Sequence, residues 1–467
     1  MPKQTVPNNS NIKLSFQGLG NRRFEGDFDG GSITSDGGAV LLREIDRKFG
    51  VISKLCKCFT DNRDPDRTEH SIGQMLRQRI YGIAIGYEDL SDHDELRRDP
   101  FFATLMGGED PSRALAGKST LNRFELSMRE DGGRDSRYHR IGVSFEAIAS
   151  VILEQSLDQM SAAGAPDEII LDLDATDDPL HGGQEGRFFH GYYRHYCYLP
   201  LYVFAGDYLL GACLRPSDID GAKGSLAELR RIVGAIRRRW PDKRIIVRAD
   251  SGFCRDWLMR WCEAVPGVEY VIGLAKNARL KDRISGELGR MERDYCETGE
   301  ACRCYTEFMY STLKSWGGRQ RRVIAKAEHL DKGSNPRFVV TSLDSDEIDP
   351  EPLYTDLYCA RGDMENRIKE QQLCLFADRT STHWMKTNQL RLWLSSVAYI
   401  LMNALRTFAL RGTSLARAMC DTIRLRLFKI GALVKVSVRR VLISMASGYP
   451  WKGTFQMAYS NLNRLRT

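Results

Sequence analysis

Apolar positions recur at helical spacing through the first part of the chain. Val40, Leu41, Ile45 and Phe49 fall on one stripe and Ile72, Met75, Leu76, Ile80 and Ile83 on another, so residues 36 to 128 are expected to be mainly helical. Asp99-Pro100 and the run GGEDPSR interrupt the pattern. Three short helices between 91 and 128, ending in KSTLNRFELS, have the dimensions of a helix-turn-helix unit. With Leu121 and Phe124 inward, Lys118, Ser119, Asn122 and Arg123 face outward; these types reach phosphates and base edges, and equally suit a solvated helix end. The charged, glycine-rich REDGGRDSRYHR (129 to 140) reads as a linker. A helix from Ser144 to about Met160 follows, its stripe set by Ile148, Ile152 and Leu157.

The period then shifts from helix to strand. EIILDLDAT (168 to 176), YLPLYVFAGD (198 to 207) and YLLGACLRP (208 to 216) predict three consecutive strands, the last two joined by a tight turn at Gly206-Asp207. A helix over 225 to 239, the strand RIIVRAD, a helix over 255 to 264 and the strand EYVIGLA come next. Three antiparallel strands followed by alternating helices and strands is the order of a ribonuclease H-like α/β sheet. Between 285 and 343 the pattern is β-rich again, with CRCYTEFMYS and RRVIAKAEHL flanking a SWGGRQ turn and PRFVVTSL after them. A helix begins near Leu357, and the chain after Thr380 is mostly helical with a strand pair around 432 to 444.

Charge changes this picture at one end. The net charge of +7 is unevenly spread: residues 380 to 467 hold fourteen Lys or Arg and a single acid, Asp421, which leaves the rest of the chain at −6. Such a segregated basic block points to a polyanionic partner. The first residues, MPKQTVPNNSNIKLSF, lack an apolar core and a small-residue cleavage site, so a cytoplasmic protein is expected. LWLSSVAYILMNAL (392 to 405) is shorter than the ~20 residues that span a bilayer, and reads as a buried helix. The twelve cysteines form no CxxC pair, and reduced thiols are expected.

Candidate chemistry starts at EIILDLDATDD. Asp172 and Asp174 share one face of the strand, since side chains alternate, and a buried carboxylate needs a partner. A divalent cation is the simplest one. Two chemistries begin this way. The pattern hhhDxDxT suits a haloacid dehalogenase-like phosphatase with Asp172 as nucleophile and Asp174 as acid and base, but the later GDxxxD pair is missing, because GDMENR at 362 to 367 has Arg367 in place of the second acid. Two-metal phosphodiester cleavage instead needs three carboxylates from separate elements. Asp250, ending the strand in RIIVRADSGF, and Glu365, in YCARGDMENRIKEQQ, can join Asp174.

At these residues the chain resembles the DDE transposases of bacterial insertion sequences. D-x-T is Asp174-Ala175-Thr176, the second acid is Asp250, and Y-x2-R-x3-E-x6-K is Tyr358, Arg361 and Glu365, with Gln372 at the lysine position and Lys369 one turn earlier. DATDDPLHGGQE, RADSGF and RGDMENRIKE together resemble the insertion sequence 1380 group. The resemblance implies a transposase that binds the terminal inverted repeats of its element, cleaves the DNA ends and transfers 3′-hydroxyls to target DNA. It implies two Mg²⁺ ions, with Mn²⁺ able to substitute, held by Asp174, Asp250 and Glu365 and supported by Asp172, Tyr358, Arg361 and Lys369. The implied partners are DNA and a second copy of the chain when assembled on DNA, with no membrane; the protein would associate with the nucleoid when bound. A catalytically inactive DNA-binding descendant would keep the basic surfaces without needing the acids.

The expected organisation is a helical end-binding domain over 1–128, a ribonuclease H-like core over 129–284 and 344–379, a β-rich insertion over 285–343, and a basic region over 380–467. Beside the acids, HGGQEGRFFHGYYRHYCYLP (181 to 200) reads as a strand-loop-strand flap whose aromatics stack on unpaired bases, or else form the hairpin's own core. Tyr192, Tyr193 and Arg194 are its DNA-contact candidates; His190, His195 and Cys197 lack a second ligand pair for zinc. In the tail, Arg424, Arg426, Lys429, Arg439 and Arg440 are candidates for phosphate contacts.

Overall fold

The computed structural model describes residues 13–107, 113–127 and 140–465. The expected linker, apart from Arg140, and most of the GGEDPSR run lie outside them. At the centre is a mixed sheet. Eight of its nine strands are β1 (Glu168–Ala175), β2 (Leu201–Ala205), β3 (Tyr208–Cys213), β4 (Arg244–Ala249), β5 (Val268–Leu274), β6 (Cys302–Tyr310), β7 (Arg321–Leu330) and β8 (Arg337–Thr341), in the spatial order β3-β2-β1-β4-β5-β8-β7-β6, and the short Gly333–Ser334 pairs with the end of β7. β1, β4 and β5 are parallel neighbours; β2 and β3 run antiparallel on one side. The β2-β3 turn is at Gly206-Asp207, where Gly206 takes φ +58, open to a residue without Cβ.

Strand alternation divides the core. Ile169, Leu171 and Leu173 of β1, Leu201 and Val203 of β2 and Ile245 and Val247 of β4 pack under helices α1 (Phe145–Ala163), α2 (Ser225–Arg239) and α3 (Asp256–Ala264). On the opposite face Tyr202 and Phe204 meet the helical body, while Ile246 and Val271 meet Leu353 and Tyr354. That body is built around α5 (Met385–Ala404), which follows α4 (Gly362–Leu375). Seventeen of the 20 residues of α5 are buried, so the apolar run read as a buried helix is the post around which the N-terminal helices gather. No helix among the described residues is long and apolar enough to cross a membrane.

The segment from 285 opens with a helix, Ser285–Thr298, and its strands β6, β7 and β8 extend the central sheet through β5 and β8. Buried residues between 39 and 106, 115 and 124, 141 and 152, and 364 and 462 share one hydrophobic core, so these early and late segments of the chain form one body. Three pairings are absent from the apolar pattern: a hairpin of Leu14–Leu19 with Arg22–Gly26, Phe59–Asp61 against Ile141–Val143, and Ile33–Thr34 against the hairpin Ala432–Ser437/Arg440–Met445. Their strands are mostly short and largely exposed, leaving little apolar alternation to read.

Candidate active site

Three elements deliver acids to the carboxyl end of the parallel strands. Asp174 lies opposite Tyr202 on the face of β1 away from Leu171 and Leu173. Asp250 follows β4 directly and caps the turn Ser251–Phe253, accepting from the Gly252 amide at 2.9 Å. Glu365 stands in the first turn of α4. Arg361, one turn earlier, brings two of them together: Nη1 is 3.4 Å from Asp174 Oδ2 and Nη2 is 2.7 Å from Glu365 Oε1.

Burial pushes the Asp174 carboxyl up to about 6; Arg361 opposes this, and the negative charges of Asp250 and Glu365 add to it. The three carboxylates therefore sense one another. Tyr358 lies beside the same group, and Gly273 of β5 makes room for it. A Cβ at Gly273 would come within 2.5 Å of the Tyr358 hydroxyl and 2.9 Å of the Ser251 amide nitrogen. No side chain larger than hydrogen fits there without displacing the turn that begins at Asp250. Gln372, at the lysine position, donates from Nε2 to the Asp177 carbonyl at 3.0 Å and so ties α4 to the segment after β1. Lys369 is exposed one turn earlier.

Asp172 has a protein partner, and the cation expected for the Asp172/Asp174 pair is not needed to explain its burial. Arg248, its parallel neighbour on β4, donates from Nε at 2.5 Å and from Nη2 at 2.8 Å, and its Nη1 donates to the Leu357 carbonyl. Arg248 went unnoticed in the sequence. The signal was available: an arginine inside RIIVRAD, two residues before an acid, matches an aspartate inside IILDLD, also two before an acid.

The flap is a hairpin of Phe188–His190 with His195–Tyr198, hung on Asp178–Pro179. Tyr192, at its tip, is 83% exposed, and Arg194 is exposed in a left-handed turn at φ +61. Tyr193 turns inward instead. Its hydroxyl is 3.4 Å from the Ala175 carbonyl, next to Asp174, which sets it against the acids rather than on an open stacking surface. Asp177 meets His195 at 2.8 Å, whereas Asp178 is buried and its carboxyl is pushed well up by that burial and by Asp378.

The other candidate contacts lie apart from the acids. On the helix Lys118–Leu126, Asn122 and Arg123 are exposed and Lys118 pairs with Asp94 at 3.1 Å, while Glu125 is fully buried between Arg79 and Arg391, 2.7 Å from each. The Arg424 guanidinium donates to the carbonyls of Ile83, Ala84 and Cys374 and so closes the C-terminus of helix Ile72–Ile85, a favourable place for a cation. Lys429 pairs with Asp36 and Arg426 lies over Trp451, while Arg439 and Arg440 are exposed on the C-terminal hairpin.

The family model for the transposase DDE domain group 1 matches residues 16–467. The chain belongs to this family. It is therefore a transposase of a mobile element, in a class of metal-dependent DNA-cleaving enzymes. Among solved structures it is similar to a piggyBac transposase synaptic complex with hairpin DNA, at 13% identity and a TM-score of 0.42, covering 85% of this chain and 80% of that one. No curated protein matches the chain.

Transposases of this family use divalent ions, and the donor set suits them. Three carboxylates from separate elements offer the hard oxygen ligands that Mg²⁺ prefers, and the raised Asp174, pushed up first by burial and further by the charges of Asp250 and Glu365, is what a cation would relieve. Among the described residues no three His, Cys, Asp or Glu side chains are grouped to hold an ion. Arg361, bonded to both Asp174 and Glu365, is the cation these acids meet.

Proposed function

We propose that this transposase cleaves the ends of its element and joins the freed 3′-hydroxyls to target DNA, with Asp174, Asp250 and Glu365 as its metal ligands. The observation that supports this reading is Arg361 joining Asp174 to Glu365 at the end of the strand pair that also delivers Asp250. Those three acids would hold two Mg²⁺ ions, which supply an activated water or 3′-hydroxyl and stabilise the leaving oxygen. Arg361, as a fixed cation, orients Glu365 and is placed to turn to the scissile phosphate. Tyr358 lines the space between Arg361 and Asp250, and Lys369 contacts DNA from the exposed side of α4.

The sheet order β3-β2-β1-β4-β5, with β2 antiparallel, supports a ribonuclease H-like core carrying 285–343 as its insertion. Residues 1–128 would recognise the terminal repeats through Lys118, Asn122 and Arg123, with Tyr192, Tyr193 and Arg194 near the cleaved end and Arg439 and Arg440 on the flanking duplex. On this reading the chain works in the bacterial cytoplasm as a dimer assembled on DNA, within the insertion sequence 1380 group. The phosphatase reading loses its nucleophile, since both oxygens of Asp172 are taken up by Arg248 and its residue is 3% exposed.

The test is incubation of labelled element ends with Mg²⁺. The wild type should nick them, and Asp250→Ala should lose nicking while keeping end binding. Binding without cleavage by the wild type would mark a DNA-binding descendant, and phosphate release from small esters would revive the phosphatase.

A further inference from the structure

The Asp172–Arg248 ion pair joins the two strands that lead to Asp174 and Asp250 and reaches the segment that leads into the helix of Glu365. Asp172 stands two residues before Asp174 on β1, and Arg248 two residues before Asp250 at the end of β4; the two are partners in the parallel register. The third arm of the same guanidinium reaches the carbonyl of Leu357, four residues before Arg361 and eight before Glu365. Both side chains are buried, at 4% and 7% exposure, so neither is an open group at the site's surface.

We propose that Arg248 and Asp172 are positioning residues: one buried guanidinium fork that fixes β1, β4 and the start of the Glu365 segment in the mutual register the three acids need. The proposal rests on the reading of those acids given above. A buried ion pair is a poor stabiliser, because desolvation offsets most of its attraction, and apolar residues of similar volume often replace one without loss. What a planar fork does, and an apolar pair cannot, is hold orientation and register through three directed hydrogen bonds. Gly273 gives independent support. With contacts this close between β5, the Ser251 turn and Tyr358, a small slip of the Leu357 segment would move Tyr358 and Arg361 together.

The decisive variant is the double substitution Asp172→Leu with Arg248→Met, which keeps apolar packing and removes the fork. Its melting temperature and affinity for end DNA should stay near wild type. Mn²⁺ binding by isothermal titration, and Mg²⁺-dependent nicking, should each weaken roughly ten- to a hundredfold, the range seen when groups that orient metal ligands are removed. Wild-type Mn²⁺ affinity and nicking in the folded double variant would overturn the proposal. Should that variant not fold, Arg248→Lys decides: an ammonium keeps the charge but cannot serve both Asp172 oxygens and Leu357, so a folded Arg248→Lys protein with unchanged Mn²⁺ affinity also overturns it. If the wild type itself failed to nick element ends, the reading of the acids would fall on its own, and the Mn²⁺ titration would still decide whether the fork gathers them.

Discussion

Asp174 has a cost in the DNA-free protein that follows from its surroundings. Its side chain is 16% exposed and shares its space with two other carboxylates, so burial holds it protonated up to about pH 6, against 3.8 for a free aspartate. A raised carboxyl of this kind favours the folded state fully below pH 3.8 and loses that contribution as pH rises through 6. A shift of about two units corresponds to at most about 3 kcal/mol. Asp174→Asn removes the titration while keeping the shape. Melting curves in the presence of a chelator should therefore show Asp174→Asn more stable than wild type at pH 7.5, with the gap closing by about pH 4, while on the proposed reading of the acids the variant loses nicking. Equal stability at both pH values would mean that Arg361 already neutralises the site. This is the stability cost expected where charge is held ready for a ligand.

At the scale of elements, the helix Lys118–Leu126 is held from below by a charge. Glu125 is fully buried, and Arg79 and Arg391 reach its two oxygens from helix Ile72–Ile85 and from α5. Removing one partner of a buried cluster leaves the others uncompensated, and Glu125→Ala should cost about 3–5 kcal/mol, read as a lower urea midpoint. Arg123→Ala, on the exposed side, should leave that midpoint alone and weaken end binding. An unchanged midpoint in Glu125→Ala would mean that apolar packing of Leu121 and Phe124 alone seats the helix.

Such clusters also explain what was legible in the chain. The strands of the sheet and the post α5 were readable because their apolar positions follow one period over five or more residues. The acids were readable because their neighbours form ordered motifs. Glu125 and Gly273 were not, because each acts through a partner far away in sequence, and an isolated charge or glycine inside an apolar element carries no period of its own; Arg248 left a signal, but only its pairing with Asp172 across the sheet gives that signal meaning. Arg424's packing was hidden for the same reason: it meets the carbonyls of Ile83 and Ala84, some 340 residues earlier.

Across the whole molecule, the excess of +13 after Thr380 is a poorer guide to surface charge than its size suggests. Arg391 and Arg406 neutralise the buried Glu125 and Glu370, Lys429 pairs with Asp36, and Arg424 closes a helix. Part of the segregated charge is thus internal, with Arg391 and Lys429 compensating acids brought from the first part of the chain. Among the side chains that do reach outward, Lys435, Arg439 and Arg440 stand together on the hairpin Ala432–Ser437/Arg440–Met445, exposed beside Val436 and Val438, with no acid in either strand. A two-stranded ribbon of this kind has the width of a DNA major groove. Every phosphate that a basic side chain no longer neutralises lowers the salt dependence of binding by about 0.9 in the slope of log affinity against log salt, so Arg439→Ala with Arg440→Ala should flatten that slope by roughly two units on duplex end DNA. The same pair should leave Mg²⁺-dependent nicking of a saturating, pre-bound substrate unchanged, because the hairpin is laddered to Ile33–Thr34 and not to a strand that leads to an acid. An unaltered slope would remove the hairpin from the DNA surface and return the search for phosphate-binding residues to Arg426 and the helix carrying Arg123.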